Sequence, residues 1–334
     1  MSLRGRSVLS TQDFTREEIE GILHLAAEMK RKGHGKPLAG KSLACLFFNP
    51  SLRTRSSFDL AMYQLGGHAV ALHPGKDAWA LEVREGVVMD GEAEEHLKEG
   101  TNVLSRFFDA IAVRCFPKFQ NWEEERKDPV LTAIAKWSTK PVINMETIVH
   151  PCQELALALT LKEHLKNPAK KKFLLTWTYH PKPLNTAVAN SAILIAAKLG
   201  MDVTILRPSG YDLDGAYLQA AEADARRHGG SLRVTDDIDA AYRGADFVYA
   251  KSWGSLAYYG RWEAEKPIRE QLRHFIVDAR KMALTNGARF SHCLPLRRNV
   301  KATDEVIDSP ASVIYDEAEN RLHTTKAMLA SILG

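Results

Sequence analysis

Apolar runs of strand length alternate with helix-length patterns along nearly the whole chain, and this alternation restricts it to parallel sheets flanked by helices. In the first half strands are expected at 42–48, 68–72, 109–114 and 141–144; in the second half they are expected at 172–177, 202–206, 231–235, 246–250 and 312–316. Between the halves, Pro151–Leu165 (PCQELALALTLKEHL) reads as one helix with Leu155, Leu159 and Leu161 on its apolar side, closed by Asn167 and Pro168. A length of 334 residues leaves room for two cores of ordinary size. The expected fold is therefore α/β, with two doubly wound parallel-sheet domains joined by bridging helices. The first domain is expected at 1–150 and the second at 151–316, with a C-terminal helix at 317–334 packing back on the first.

Charge and cysteine content narrow the function. Forty-five basic against forty-one acidic side chains leave +4, which suits an anionic small substrate and is too evenly scattered for a nucleic-acid partner. The basic run Lys170, Lys171 and Lys172 reads as a solvated linker or strand entry. No run of eighteen apolar residues occurs, and the opening MSLRGRSVLSTQDF lacks a signal-peptide core, so a cytoplasmic protein without membrane contact is expected. Cys45, Cys115, Cys152 and Cys293 are widely spaced with no C-x-x-C pair, which indicates neither a disulfide framework nor a metal site.

The run FFNPSLRTRSSF at 47–58 turns from a strand into a helix whose apolar face carries Phe58, Met62 and Leu65. Free backbone N–H groups and the positive end of the helix dipole meet there. They are joined by the hydroxyls of Ser51 and Thr54 and the guanidinium groups of Arg53 and Arg55, a donor set suited to phosphate. A capped helix with solvated arginines is the plainer reading, but Pro50 fixing the entry and two arginines flanking one threonine favour an anion site. GKPLAGKS at 35–42 matches the P-loop pattern letter for letter, yet it follows a helical pattern and runs into a strand, the reverse of the order a P-loop needs. It reads as a glycine-rich helix stop, and no G-x-G-x-x-G follows a strand, so nucleotide sites have no support.

Further clusters sit where strands should end, the ligand-binding edge of open α/β sheets. Arg114 emerges from a strand into the turn of Phe116 and Pro117, where it reads equally as a site residue or a surface charge. Glu146, His150 and Gln153 open the long helix, with His150 and Gln153 on one face at i and i+3. In HCLPLRR at 292–298 a strand ends in a proline-directed turn where Leu294 offers its carbonyl; Cys293 taken alone is a buried apolar residue.

Taken together, F-x-N-P-S-x-R-T-R-x-S-F, H-P-C-Q at 150–153 and H-C-L-P at 292–295 resemble the aspartate/ornithine carbamoyltransferase family over nearly the whole chain. H-C-L-P and DEAENR at 316–321 look like its ornithine branch. Two signatures of that branch are replaced, one by WTYHPKPLNT at 177–186 and the other by Lys251-Ser252-Trp253-Gly254. Those replacements, with Lys76-Asp77-Ala78-Trp79, are most similar to the N-acetylornithine carbamoyltransferase branch.

The resemblance implies carbamoyl transfer from carbamoyl phosphate to the δ-amine of N-acetyl-L-ornithine, giving N-acetyl-L-citrulline and phosphate in arginine biosynthesis with no cofactor. It makes 1–150 the carbamoyl-phosphate-binding domain and 151–316 the acylornithine-binding domain, the latter knotted. It implies that Ser51, Leu52, Arg53 and Thr54 cradle the phosphate, with Arg114 on its other side. Arg114, His150 and Gln153 then address the carbonyl oxygen, the turn of Cys293 and Leu294 holds the carbamoyl amide, and Arg321 completes the site. Glu146, Lys251 and Leu294 would hold the acceptor, with Lys251 on its α-carboxylate. Trp79 would be lent by the neighbouring subunit of a homotrimer, Glu94 would select the acyl group, and Lys301 would be carboxylated. N-succinylornithine and ornithine are the alternative acceptors, and a non-catalytic anion-binding protein is the alternative of another class.

Overall fold

The structure, a computed structural model, describes residues 3–334. Its contacts divide the chain into two compact units: one holds everything described up to Lys118, with Glu123–Cys152 and Arg321–Gly334, and the other holds Phe119–Trp122 and Gln153–Asn320.

The first unit contains β1 (Ser42–Phe47), β2 (His68–Leu72), β3 (Leu81–Glu82), β4 (Glu95–His96), β5 (Ala110–Arg114) and β6 (Val142–Glu146). Its main sheet is parallel in the order β2-β1-β5-β6, while β3 and β4 form a small parallel pair of their own. Strands covered on both faces need continuous apolar runs. Ala44, Leu46, Ile111, Val113 and Val142 accordingly pack with Leu97, Leu131 and Ile134 in one buried cluster. Fully burying each larger aliphatic side chain contributes about 1.5–3 kcal/mol. Arg16–Lys32 begins at a reciprocal capping box of Thr15 and Glu18, and the P-loop look-alike after it is a turn entering β1, with Gly40 at φ +76°. The turn is therefore not a nucleotide loop.

The second unit contains β7 (Lys172–Trp177), β8 (Asp202–Leu206), β9 (Ser231–Thr235), β10 (Phe247–Lys251) and β11 (Arg289–Ser291), parallel in the order β11-β10-β7-β8-β9. Ala187–Lys198 is buried along its entire length, as its near-continuous apolar sequence requires. The strand expected at 312–316 is absent. Ser312 makes a single parallel bridge to Phe290, and the helix Ile314–Leu333 begins two residues later. The edge position belongs instead to the short β11.

Each main sheet changes its winding direction at one point, between β1 and β5 in the first and between β7 and β10 in the second. Loops diverge there and leave a crevice beyond the strands' C-terminal ends. No helix among the described residues is long and apolar enough to cross a membrane, and none of their His, Cys, Asp and Glu side chains form a group able to hold a metal ion.

Candidate active site

At the first switch point the chain leaves β1 through Asn49 and Pro50 and enters the helix Arg53–Gln64. That helix has no acidic residue in its first turn. Ser51 Oγ accepts from Thr54 N at 3.1 Å, and Thr54 Oγ1 accepts from Arg321 Nη2 at 3.0 Å. Arg321 is buried; burial first, then the nearby positive charges of Arg114 and Arg53, pull its pKa down against the opposing influence of Cys152 and Glu146. Crowding guanidinium groups against the positive end of a helix dipole is unfavourable unless an anion joins them. Arg55 does not share this cluster. It is exposed and lines a separate small pocket with Cys45, Asp59 and Ala71, because i+2 on a helix turns to another side.

Arg114 closes β5, where the pairing with β6 shifts register between Val113 and Arg114. The extra residue, Met145, lies on β6 and sets Glu146 opposite Arg114. Arg114 is 7% exposed, ion-paired to Glu146, and donates through Nη2 to Pro50 O at 3.4 Å. Its guanidinium carbon lies 4.5 Å from the Phe116 ring centroid, and Nε is buried without a hydrogen-bond partner among the described residues. Glu146 Oε2 is also 3.5 Å from Nε2 of the buried His150. One carboxylate thus aligns a guanidinium and an imidazole. The structure brings Ser51, Thr54, Arg53, Arg114, Glu146, His150 and Arg321 together in the first unit, with the backbone of Leu52 at the helix entry. Trp79 and Glu94 stand on the solvent-facing segment that carries β3 and β4, where Trp79 Nε1 donates to Glu95 Oε2 at 2.8 Å.

At the second switch point Lys251 ends β10 opposite Trp177 of β7. The two following loops are tied together by Thr178 and Ser252 hydroxyls 3.1 Å apart and by Trp177 Nε1 donating to Trp253 O at 2.9 Å. A Cβ on Gly254 would lie 2.9 Å from both Pro183 and Trp262, so only glycine lets them meet. The buried Cys293 follows β11, and Leu294 adopts φ 55° before a cis bond to Pro295. Leu294 N donates to His292 Nδ1 at 2.8 Å, so the His292 proton sits on Nε2, which is 3.2 Å from Lys301 Nζ. Only a neutral amine accepts from that N–H. The electrostatics agree: burial, then repulsion from Lys251, with a smaller push from Arg297 and an opposing pull from Cys293, brings the Lys301 pKa down to about 7.

His180 and Arg297, which were not singled out from the sequence, belong to this cluster. Arg297 Nε donates to His180 Nε2 at 3.1 Å, and burial with the charges of Lys301, Arg297 and Lys251 pushes the imidazole down to about 4 despite a backbone contact at Lys182. Both lie inside motifs visible in the sequence, the proline-rich loop and HCLPLRR, but only the fold shows their convergence. Such a positive cluster suits a carboxylate ligand. Gln153, near the start of Pro151–Leu165, donates to the buried Glu317.

Known proteins align with this arrangement. The carbamoyl-P binding domain of aspartate/ornithine carbamoyltransferase matches residues 6–163, and the Asp/Orn binding domain matches 183–332. The N-acetylornithine carbamoyltransferase of Xanthomonas campestris pv. campestris is 60% identical over 98% of this chain and 97% of its own length. The N-succinylornithine carbamoyltransferase of Bacteroides fragilis is 38% identical over 88% of this chain and 87% of its own. A crystal structure of acetylornithine transcarbamylase complexed with acetylcitrulline superposes with a TM-score of 0.97 at 59% identity, covering 98% of this chain and 99% of that one. Phosphate-type donors after β1, Arg114 on β5, the H-P-C-Q and H-C-L-P turns and both domain matches agree, and the chain belongs to the aspartate/ornithine carbamoyltransferase family.

Proposed function

We infer that this chain transfers the carbamoyl group of carbamoyl phosphate to the δ-amine of N-acetyl-L-ornithine, giving N-acetyl-L-citrulline and phosphate in arginine biosynthesis. The observation that carries the reading is the acid-free helix entry at Arg53 meeting the buried Arg114 and Arg321, within a chain 60% identical to an N-acetylornithine carbamoyltransferase. As the amine attacks, charge gathers on the carbonyl oxygen and then on the departing phosphate. Donors fixed before the reaction stabilise that charge without reorganisation. Ser51, Leu52, Arg53, Thr54 and Arg321 hold the phosphate, while Arg114 and His150 face the carbonyl oxygen. Gln153 contacts the carbamoyl group, whose amide Cys293 and Leu294 take. Lys251 pairs with the acceptor's α-carboxylate, supported by Arg297 and His180, and Glu146 and Leu294 guide its amine.

Trp79 and Glu94 act on a neighbouring copy in a homotrimer. The support for this is their solvent-facing segment together with exposed Leu52, Tyr63 and Phe107 on the same unit. Product formation from carbamoyl phosphate with acetylornithine, ornithine, succinylornithine and aspartate in parallel tests the reaction. Acetylornithine is expected to react and ornithine not. A higher kcat/KM for ornithine overturns the assignment.

Lys301 is the proposed site of carboxylation. Near pH 7 much of the amine is neutral, the form whose lone pair attacks the carbon of CO2, forming an N–C bond and releasing one proton. Protein incubated with ¹³C-bicarbonate is expected to show a carbamate carbon signal that Lys301→Arg abolishes. An unchanged signal in that variant removes the modification from Lys301.

A further inference from the structure

Glu317 lies in the first turn of the helix Ile314–Leu333 and is 1% exposed. Its carboxylate accepts from Gln153 Nε2 and from Tyr249 Oη (2.9 Å) through Oε1, and from Ser291 Oγ through Oε2. These donors come from the helix Pro151–Leu165, from β10 and from β11. All of them are uncharged. A buried carboxylate is costly to place unless its acceptor sites are well filled, and an apolar residue of similar volume would be the cheaper choice for stability alone.

What a carboxylate supplies that other residues of its size do not is one-way bonding. Ionised, it only accepts, so the amide it meets must turn its nitrogen inward. A glutamine at 317 can accept or donate and would leave both amide orientations of Gln153 open. Tyr249 and Ser291 hold the carboxylate against the sheet, so its direction is set before any substrate arrives.

We propose that Glu317 is the positioning residue for Gln153, fixing which end of the Gln153 amide is presented to the carbamoyl group. The proposal rests on the reading of Gln153 as a carbamoyl contact. With Nε2 held by Glu317, Gln153 Oε1 is the end of the amide offered to the carbamoyl group, a match for its NH2 and not for its carbonyl oxygen. The carbonyl is left to Arg114 and His150. Glu317 itself touches no reacting atom.

A double-mutant cycle tests this in the full-length enzyme, with thermal melts to confirm folding. Glu317→Gln is expected to lower kcat about 10-fold, and Gln153→Ala somewhat more, as for loss of one preorganised contact. The double variant is expected to be no slower than Gln153→Ala alone, because Glu317 acts through that side chain. The KM for acetylornithine is expected to stay within about twofold, since no uniform binding contact is removed. Losses that multiply would make Glu317 a structural residue and overturn the proposal. So would a normal kcat in Glu317→Gln when Gln153→Ala is impaired. A normal kcat in Gln153→Ala would instead remove Gln153 from the site, and Glu317's role with it. Tyr249→Phe and Ser291→Ala, which each release one brace, give a second route if Glu317→Gln does not fold. Their smaller losses are expected to vanish in the Gln153→Ala background, and persistence there overturns the proposal.

Discussion

Replacing Arg114 with alanine is expected to lower kcat by about 10²-fold or more, the cost of deleting one preorganised donor at a developing oxyanion. The expectation follows from where the fold puts this side chain. The irregular pairing of β5 with β6 sets it opposite Glu146, which holds one nitrogen, while Nη2 reaches Pro50 O and the Phe116 ring covers its face. Little freedom remains to be frozen out when substrate binds. Alanine also leaves the half-buried Glu146 beside His150 without its cation, so some loss of stability accompanies the loss of rate. Arg114→Lys separates the two effects: it keeps a charge near Glu146 and loses the planar fork, so stability should largely recover while kcat stays low. Steady-state kinetics and melting curves of both variants are the measurement. A kcat within about threefold of wild type in folded Arg114→Ala would take Arg114 out of the chemistry.

Much of this site was legible because its residues lie where strands end, and strand ends follow from apolar runs. The sequence places strands at 42–48 and 172–177, and the structure has β1 and β7 there, so Ser51 and the loop after Trp177 fall at the switch points. β11 is three residues long and β3 and β4 two each, too short for any period to show. At 312–316 the β-branched pair Val313 and Ile314 suggested a strand. Val313 does pair, donating to Phe290 O, but the helix-forming residues after it take over at Ile314. What sequence could not show was convergence. His180 and Arg297 are 117 positions apart and share a hydrogen bond. Glu317 looks like an ordinary acid of a helix first turn until its three donors are seen.

Glu94→Pro is expected to redirect the enzyme from acetylornithine toward succinylornithine. Succinyl differs from acetyl chiefly by a second carboxylate, so a carboxylate beside the acyl group opposes it while adding nothing against acetyl. Two such charges about 4 Å apart repel by about 1 kcal/mol in bulk water and about 4 kcal/mol where the effective dielectric is near 20. A shift of about tenfold or more in the ratio of kcat/KM values is therefore expected. Glu94 is exposed on the segment that also carries Trp79, so an acyl group reaching that segment would meet it in partly screened surroundings. Screening supplies a second signature: the preference should weaken as salt rises in the native enzyme and respond little to salt in the variant. The carbamoyl phosphate KM should hardly change, because Glu94 is proposed to meet the acyl group and not the phosphate, which falls to Thr54, Arg114 and Arg321. Kinetics with both acceptors at two ionic strengths decide the matter, and an unchanged acceptor ratio in Glu94→Pro would return Glu94 to the solvated surface.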